Sequence, residues 1–329
     1  MDHFPRQDFF AEKASVPSHL EWGDRALCPE PRVSVIMPVY KRPEMFALAL
    51  ASVLAQDYES FEVVVVDNNE DPARPNRSVV EKAADDRVFY YRNEENLGMF
   101  GNWNRGIELS RAPFVTFCHD DDLLLPGALT RLMDLQPKAG EACILSAFNE
   151  IDAEGRQTDT TVLSKEIWPL RPKDHYRYTL TGQLLANISC GDGSLYGREQ
   201  LIALGGYDAG FYPSSDYELN IRYAQRYGAV VNNMPTSCYR VADNESKQVF
   251  RQFPAANRRV HEQWLLPAGR PKWLVRRLIE TIYRNAMASA EKMWSQPGAS
   301  DQAVRLSWSD KALLWTTRTL DRVHKYTLR

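Results

Sequence analysis

Cysteine is sparse and unpatterned: five residues (Cys28, Cys118, Cys143, Cys190, Cys238) are scattered over 329 positions, none in a CxxC arrangement. An odd, dispersed set argues against a disulfide framework or a zinc site and for a reducing compartment. No apolar run approaches the ~20 residues that cross a bilayer. The opening MDHFPRQDFF is acidic and broken by proline, unlike a secretory leader. These absences together predict a cytoplasmic protein. Neither GxGxxG after the first apolar run nor GxxxxGK[ST] occurs, which disfavours the ordinary dinucleotide fold and the P-loop. A net charge of −3 gives no basic field for nucleic acid, and none is expected as a partner.

What is present is an ordinary globular composition, 44% apolar and 25% charged, enough for one large or two moderate domains. The charge is uneven. Residues 251–329 carry 15 Lys/Arg against 6 Asp/Glu, leaving an acidic body and a basic tail suited to an anionic surface. Residues 1–31, with four prolines, read as an irregular extension or lid. From 32 to 150, apolar β-branched runs (RVSVIMPVY, FEVVVVDNN, RVFYYRN, FVTFC, ACILSAFNEI) alternate with helical patterns (RPEMFALALASVLAQ, GNWNRGIELS, PGALTRLMDL). That rhythm predicts an α/β fold with a mostly parallel, Rossmann-like sheet flanked by helices. After residue 150 the rhythm changes: HYRYTLTGQLLAN reads as helical, SLYGREQLIALGG as a strand entering a helix, and DYELNIRYAQRYG as an amphipathic helix. Residues 151–254 then form a second half, and 255–329 a helical extension with helices at roughly 271–294 and 308–326.

In open parallel sheets, ligands bind beyond the carboxyl ends of the strands. PVYKR, DNNED and HDDD fall at three such ends. Three adjacent carboxylates (Asp120, Asp121, Asp122) repel one another unless a cation, a proton or open water relieves them. With no His/Cys set beside them, they suit a hard cation, Mg²⁺ or Mn²⁺, whose shell substrate phosphates complete. On the triplet alone, a solvated loop or helix N-cap stands beside that reading.

The stretches VSVIMPVYKRPEMFALALASVLAQDYESFEVVVVDNNEDP, NEENLGMFGNWNRGIELSRAPFVTFCHDDDLLLPGAL and SLYGREQLIALGGYDAGFYPSSDYELNIRYAQRYG together resemble glycosyltransferase family 2 over roughly residues 32–245. The resemblance implies a GT-A fold and inverting, metal-dependent transfer of a sugar from a nucleoside-diphosphate sugar to a hydroxyl acceptor. It implies that Pro38, Val39 and Tyr40 line the nucleoside pocket, that Asp67 accepts from the base edge or ribose, and that Asn96 and Gly98 lie beside the nucleotide. The acidic motif falls on His119 to Asp122, with histidine in the first acidic position. Asp121 and Asp122 are then the metal ligands, supported by Asp120, and His119 meets ribose or phosphate or is structural. In the family's Glu-Asp pair Ser215 replaces the first member and Asp216 matches the second.

An inverting transfer needs a base for the acceptor hydroxyl, and Asp216 is the expected one. Glu218 is its rival, although Ser215-x-x-Glu218 also spells a capping box. Asp208 is expected to be structural; Arg240 or Lys247 would reach the diphosphate. The resemblance further implies UDP- or dTDP-sugars as the favoured donors, a glycan or lipid-linked molecule as the acceptor, and bacterial surface polysaccharide or glycolipid synthesis as the setting. Five of the eight tryptophans (Trp264, Trp273, Trp294, Trp308, Trp315) accompany the basic tail, which suits either a peripheral membrane contact or packing on the body. Two other classes stay open: a non-catalytic nucleotide-sugar-binding protein and a metal-dependent nucleotidyltransferase.

Overall fold

The computed structural model describes residues 8–161, 174–185, 191–241, 248–266 and 271–295. Lys247, Cys190, Trp308, Trp315, the helix expected at 308–326 and the side chain of Trp294 lie outside the described residues.

Strand β1 (Ser18–Trp22) precedes β2 (Val33–Val39), helix α1 (Pro43–Leu54), β3 (Phe61–Asp67), α2 (Pro75–Ala83) and β4 (Val88–Asn93). Next come α3 (Met99–Leu109), β5 (Phe114–Phe117), the short β6 (Leu123–Leu124), α4 (Ala128–Ala139), β7 (Cys143–Ile151) and β8 (Gln157–Thr161). The second half adds β9 (His175–Arg177), α5 (Leu180–Leu185), β10 (Tyr196–Gly197), α6 (Arg198–Leu204), α7 (Ser215–Tyr227) and β11 (Ala229–Arg240). Helices α8 (Phe253–Val260) and α9 (Lys272–Ser295) close the described chain.

One sheet runs β1-β4-β3-β2-β5-β10, its four central strands parallel and its two edges antiparallel. Every residue of β2 and β3 is buried, which is why these strands are continuous apolar runs rather than alternating ones. Their helices cover both faces. Gly106 lets α3 lie directly on β2, since a Cβ there would stand 2.3 Å from Ile36 Cγ2.

The second sheet runs β6-β11-β7-β8, with β9 also on β11. It joins β7, from the region expected to belong to the first half, to a strand 12 residues long that the apolar pattern did not reveal. Pro235 and the Asn232–Asn233 pair interrupt β11 at its register shift, so no alternating run shows.

Two further expectations change, and a third point is one the sequence leaves between alternatives. The stretch read as irregular at the N-terminus includes β1, which pairs antiparallel with β4, while Phe9 N donates to Gly205 O at 3.0 Å. HYRYTLTGQLLAN divides into β9 and the short α5. Helix α8, the turn after it and the start of α9 pack on the body: Val260, Trp264, Leu265, Leu274, Val275, Leu278 and Ile279 bury against Tyr217 and Ile221 of α7. Among the described residues no helix is long and apolar enough to cross a membrane.

Candidate active site

The carboxylate loop is held from both ends. It leaves β5 in the first sheet and re-enters the second as β6, antiparallel to β11, so His119 to Asp122 lie where the two sheets meet. Asp120 is 4% exposed; its Oδ2 accepts from Tyr40 N at 2.8 Å and its Oδ1 lies 3.4 Å from Arg42 Nη2. Burial, opposed by Arg42 and reinforced by Asp121, pushes the Asp120 carboxyl up to about 7. Asp121 is paired with Arg42 Nη1 and is the more open of the two expected metal ligands. Asp122 turns inward: its Oδ1 accepts from Arg240 N at 2.7 Å, and burial together with Asp192 holds its carboxyl well above the usual range.

His119 is part of a buried ion pair. Its amide donates to Asp192 Oδ1 and its Nδ1 bonds Asp192 Oδ2, both at 2.7 Å, while its ring stacks on Trp103 at 4.5 Å between centroids. Burial opposes the imidazolium, yet the facing Asp192 raises the histidine well above its ordinary value. Asp192 in turn stays below the usual carboxylate range despite its burial, because His119 faces it. Asp192, 73 residues along the chain, thus places a carboxylate against position 119.

His119, Asp122 and Asp192 offer ligand atoms within 4.8 Å of one another. Mixed nitrogen and carboxylate donors beside the open Asp121 fit a divalent cation. Nδ1 of His119 is already committed to Asp192, and Asp121 has the most exposed side chain of the three loop carboxylates.

At the start of α7 the two expected carboxylates separate. Asp216 is half-buried at the second helical residue, and its Oδ1 accepts from Tyr217 N at 2.7 Å. Asp216 and Asp192 both act electrostatically on the buried Tyr207, whose ring packs edge-on against Trp103. Glu218 faces elsewhere. It is 1% exposed and forms a two-point pair with Arg222, at 2.8 and 2.7 Å.

The capping box does not form. Ser214, not Ser215, is the N-cap and makes no side-chain cap bond, so Glu218 falls one position too late to reach back. Behind Asp216, the Tyr217 hydroxyl meets Gln183 O and His261 Nε2. Asp208 accepts from Gly210 N at 2.8 Å and caps a short turn, a structural role.

The remaining residues ring the ends of β2 and β3. Pro38 and Val39 are buried, Val39 within the core, while Tyr40 is 38% exposed with Lys41 Nζ 4.7 Å above its ring. Asp67 accepts from Asn69 N (2.7 Å), Tyr90 OH (2.6 Å) and Asn76 Nδ2 (3.0 Å). Of the roughly four acceptor positions of a carboxylate, that leaves about one.

Asn69, with Lys41, Glu70, Asp71 and Pro75, lines a cleft of about 300 Å³. Asn96 and Gly98 are exposed at its neighbour loop, where Asn96 Oδ1 accepts from Gly98 N and Asn68 Nδ2 donates to Gly98 O. Arg240 does not project from the surface. Its Nε donates to Asp121 O, and its Nη1 to the carbonyls of Asp152 and Ala153, so it braces the carboxylate loop from behind.

Sequence reasoning missed Asp192, Arg42 and Trp103. Asp192 stands alone between two glycines with no motif to mark it, and Trp103 reads as an ordinary core residue of α3. Arg42 had a signal: arginine where a helix begins, next to PVYK.

Residues 34–205 match the family described as glycosyl transferase family 2. A Campylobacter jejuni protein named GalNAc(5)-diNAcBac-PP-undecaprenol beta-1,3-glucosyltransferase is 30% identical over 51% of this chain and 57% of its own length. The Escherichia coli protein named putative colanic acid biosynthesis glycosyl transferase WcaA is 31% identical over 30% of this chain and 36% of its own. The matches therefore span little more than half of the first relative and about a third of the second.

Among solved structures, the mannosyltransferase PcManGT from Pyrobaculum calidifontis, in complex with GDP-Man and Mn²⁺, superposes with a TM-score of 0.60. That alignment covers 94% of this chain and 85% of PcManGT at 17% identity. S. aureus TarS 1–349 in complex with UDP-GlcNAc gives 0.59, over 87% and 79%, at 16% identity. At such identities the likeness speaks for the fold, which is GT-A with helices following it. With half of the chain inside the family's boundaries, the protein belongs to glycosyltransferase family 2.

Proposed function

We propose that the chain transfers a sugar from a nucleoside-diphosphate sugar to a hydroxyl acceptor, with inversion, using Mn²⁺ or Mg²⁺. The observation that carries this reading is the convergence of Asp120, Asp121 and Asp122 with Arg42 at the carboxyl ends of parallel strands. Asp67, with its one spare acceptor position, takes the imide N–H of uracil or thymine, which favours UDP- or dTDP-sugars. Tyr40, Asn96 and Gly98 border the nucleoside, and Asp120 the ribose. Asp121, backed by Asp122, would hold the cation, whose charge when bound would offset that of the diphosphate.

Asp216 takes the acceptor's proton as the oxygen attacks the anomeric carbon from the opposite face. Charge at the sugar becomes oxocarbenium-like, and no covalent enzyme intermediate forms. Glu218, locked to Arg222, takes no part. In this reading residues 32–150 bind the donor and 151–254 the acceptor, with 1–31 and 255–329 as extensions. The test is thermal unfolding with UDP, dTDP, GDP or CDP, each with and without Mn²⁺. A ligand at ~100 times its Kd adds roughly 2.7 kcal/mol. Stabilisation by one diphosphate that requires Mn²⁺ is expected; no shift with any pair would remove the reading. Released nucleoside diphosphate, rather than pyrophosphate, would separate the transferase from a nucleotidyltransferase, and no release at all would leave a binding protein.

The acceptor is proposed to be a glycan or lipid-linked molecule of bacterial surface polysaccharide or glycolipid synthesis, met at the inner face of the membrane. What supports the membrane contact is the outer face of α9. There Trp273 is 66% exposed and flanked by the exposed Lys272, Arg276 and Arg277, while Leu274, Val275, Leu278 and Ile279 face the body. Glu280, on that face, is already paired with Arg258 at 3.2 Å. Flotation with anionic vesicles at low salt should recover the protein, and a Trp273→Ala, Arg277→Glu double variant should stay in the pellet. Failure of the unmodified chain to float would end this part of the proposal.

A further inference from the structure

Arg42 is the N-cap of α1, yet no side-chain hydrogen bond caps the helix there. A cation is the wrong charge for that end, where the helix dipole is positive, and Ser, Thr, Asp or Asn are the residues that stabilise it. Lys41 before it holds a left-handed backbone with φ 56°, an uncommon conformation for a residue with a side chain. Two successive choices against local stability mark a position shaped by something other than folding. The result lies in the side chain. The turn at Lys41 brings the Arg42 guanidinium between Asp120 and Asp121, 3.4 Å from Asp120 Oδ1 and hydrogen-bonded to Asp121 Oδ2.

We propose that Arg42 is an internal occupant of the cation position, displaced when the divalent ion and donor bind and then turned onto the donor's diphosphate. The inference rests on the metal–nucleotide reading above and adds a competition to it. Asp121 presents Oδ2 to Arg42, and a divalent ion drawn to the same carboxylate competes with the guanidinium charge for that position. The backbone of Arg42 is fixed, since Phe46 N donates to Arg42 O at 2.9 Å and Pro43 follows as the first helical residue. The side chain is 39% exposed and has room to swing.

Leaving the carboxylates for water forfeits a charge-assisted, forked interaction. Leaving them for a diphosphate exchanges carboxylate oxygens for phosphate oxygens that the same fork fits. Metal alone therefore binds against Arg42, whereas metal with nucleotide gives the guanidinium a new partner. Each ligand strengthens the other, and by linkage the effect is reciprocal.

The experiment is calorimetric titration of Mn²⁺ into the 329-residue chain, alone and with whichever of UDP, dTDP, GDP or CDP stabilises it most. For the unmodified protein, nucleotide should tighten Mn²⁺ by about tenfold or more. Arg42→Gln should bind Mn²⁺ alone about tenfold more tightly than the unmodified protein, and nucleotide should add a smaller gain, the part that phosphate oxygens on the ion itself supply. Arg42→Lys keeps the charge without the fork; it should fall between the two for Mn²⁺ alone and lose the share of the coupling that the fork supplies. Equal Mn²⁺ affinity for Arg42→Gln and the unmodified protein, both binding the ion, would overturn the displacement and leave the metal–nucleotide reading standing. Full coupling in Arg42→Lys and Arg42→Gln would overturn the turn onto the diphosphate. No Mn²⁺ binding by the unmodified protein in any mixture would instead overturn the reading on which the inference rests.

Discussion

Glu218 and Asp121 each meet an arginine, but the two pairs are built differently. Arg222 comes from the same helix as Glu218, is 4% exposed, and gives its other N–H groups to the carbonyls of Leu204 and Gly206. Nothing in that pair is left over for a ligand. Arg42 reaches Asp121 from another element, stays partly in solvent, and shares its guanidinium with Asp120, a carboxyl that burial drives towards neutrality. The contrast shows that a buried acid beside an arginine is no sign of chemistry by itself. What separates a structural pair from a functional one is whether the cation has anywhere else to go.

Removing the two proposed actors gives the largest effects. Asp216→Asn should lower kcat by up to about 10⁴-fold, because the nearest other carboxylate of α7 is locked to Arg222 and cannot take over as base. Donor-dependent thermal stabilisation should persist. Near-normal turnover in this variant would return the base assignment to an unidentified group. Asp121→Asn should cost about 10³-fold in kcat/KM and abolish the Mn²⁺-dependent shift with nucleotide, as expected when several kcal/mol of charge stabilisation are lost. A retained Mn²⁺-dependent shift would move the cation inward, to the triad of His119, Asp122 and Asp192.

Glu218→Ala should behave in the opposite way. Leaving Arg222 charged and uncompensated in the interior costs about 3–5 kcal/mol of stability, read by denaturant unfolding. The folded fraction should keep its KM for donor. A stable Glu218→Ala protein with lost turnover would reverse the comparison and make Glu218 catalytic.

The parallel half was legible because its strands are buried on both faces and its helices carry apolar stripes; β2, α1, β3 and β5 fall where the runs end and turn. Illegible elements lack such runs. β11 is broken by Asn232, Asn233 and Pro235, and β1 is an edge strand whose residues are partly exposed. The site shows the same division. Asp120 to Asp122 are consecutive, so their crowding is visible in one dimension, whereas Asp192 enters by folding alone, and the engagement of Arg240 with backbone carbonyls depends on the loop it braces. The first turn of α7 was misjudged by one residue. At a helix start that shift changes a capping glutamate into half of a buried ion pair.

The smallest effect sharpens the comparison most. Because the folded value of Asp120, about 7, lies above the ordinary 3.8, the folded metal-free protein holds a proton that the unfolded chain releases. Its contribution to stability is complete below about pH 4 and disappears as pH rises through about 7, with a slope of at most about 1.4 kcal/mol per unit for one proton. Asp122, raised in the same direction, adds to the fall. Thermal unfolding between pH 4 and 8 should show this decline without metal. Asp120→Asn, which keeps an acceptor for Tyr40 N, should reduce it. Mn²⁺ with the stabilising nucleotide should flatten it as well, since a bound cation favours the charged carboxylates and removes the reason for holding the proton. If the decline is identical with and without Asp120, then Arg42 already keeps that carboxylate ionised, and the guanidinium is as firmly committed here as Arg222 is to Glu218.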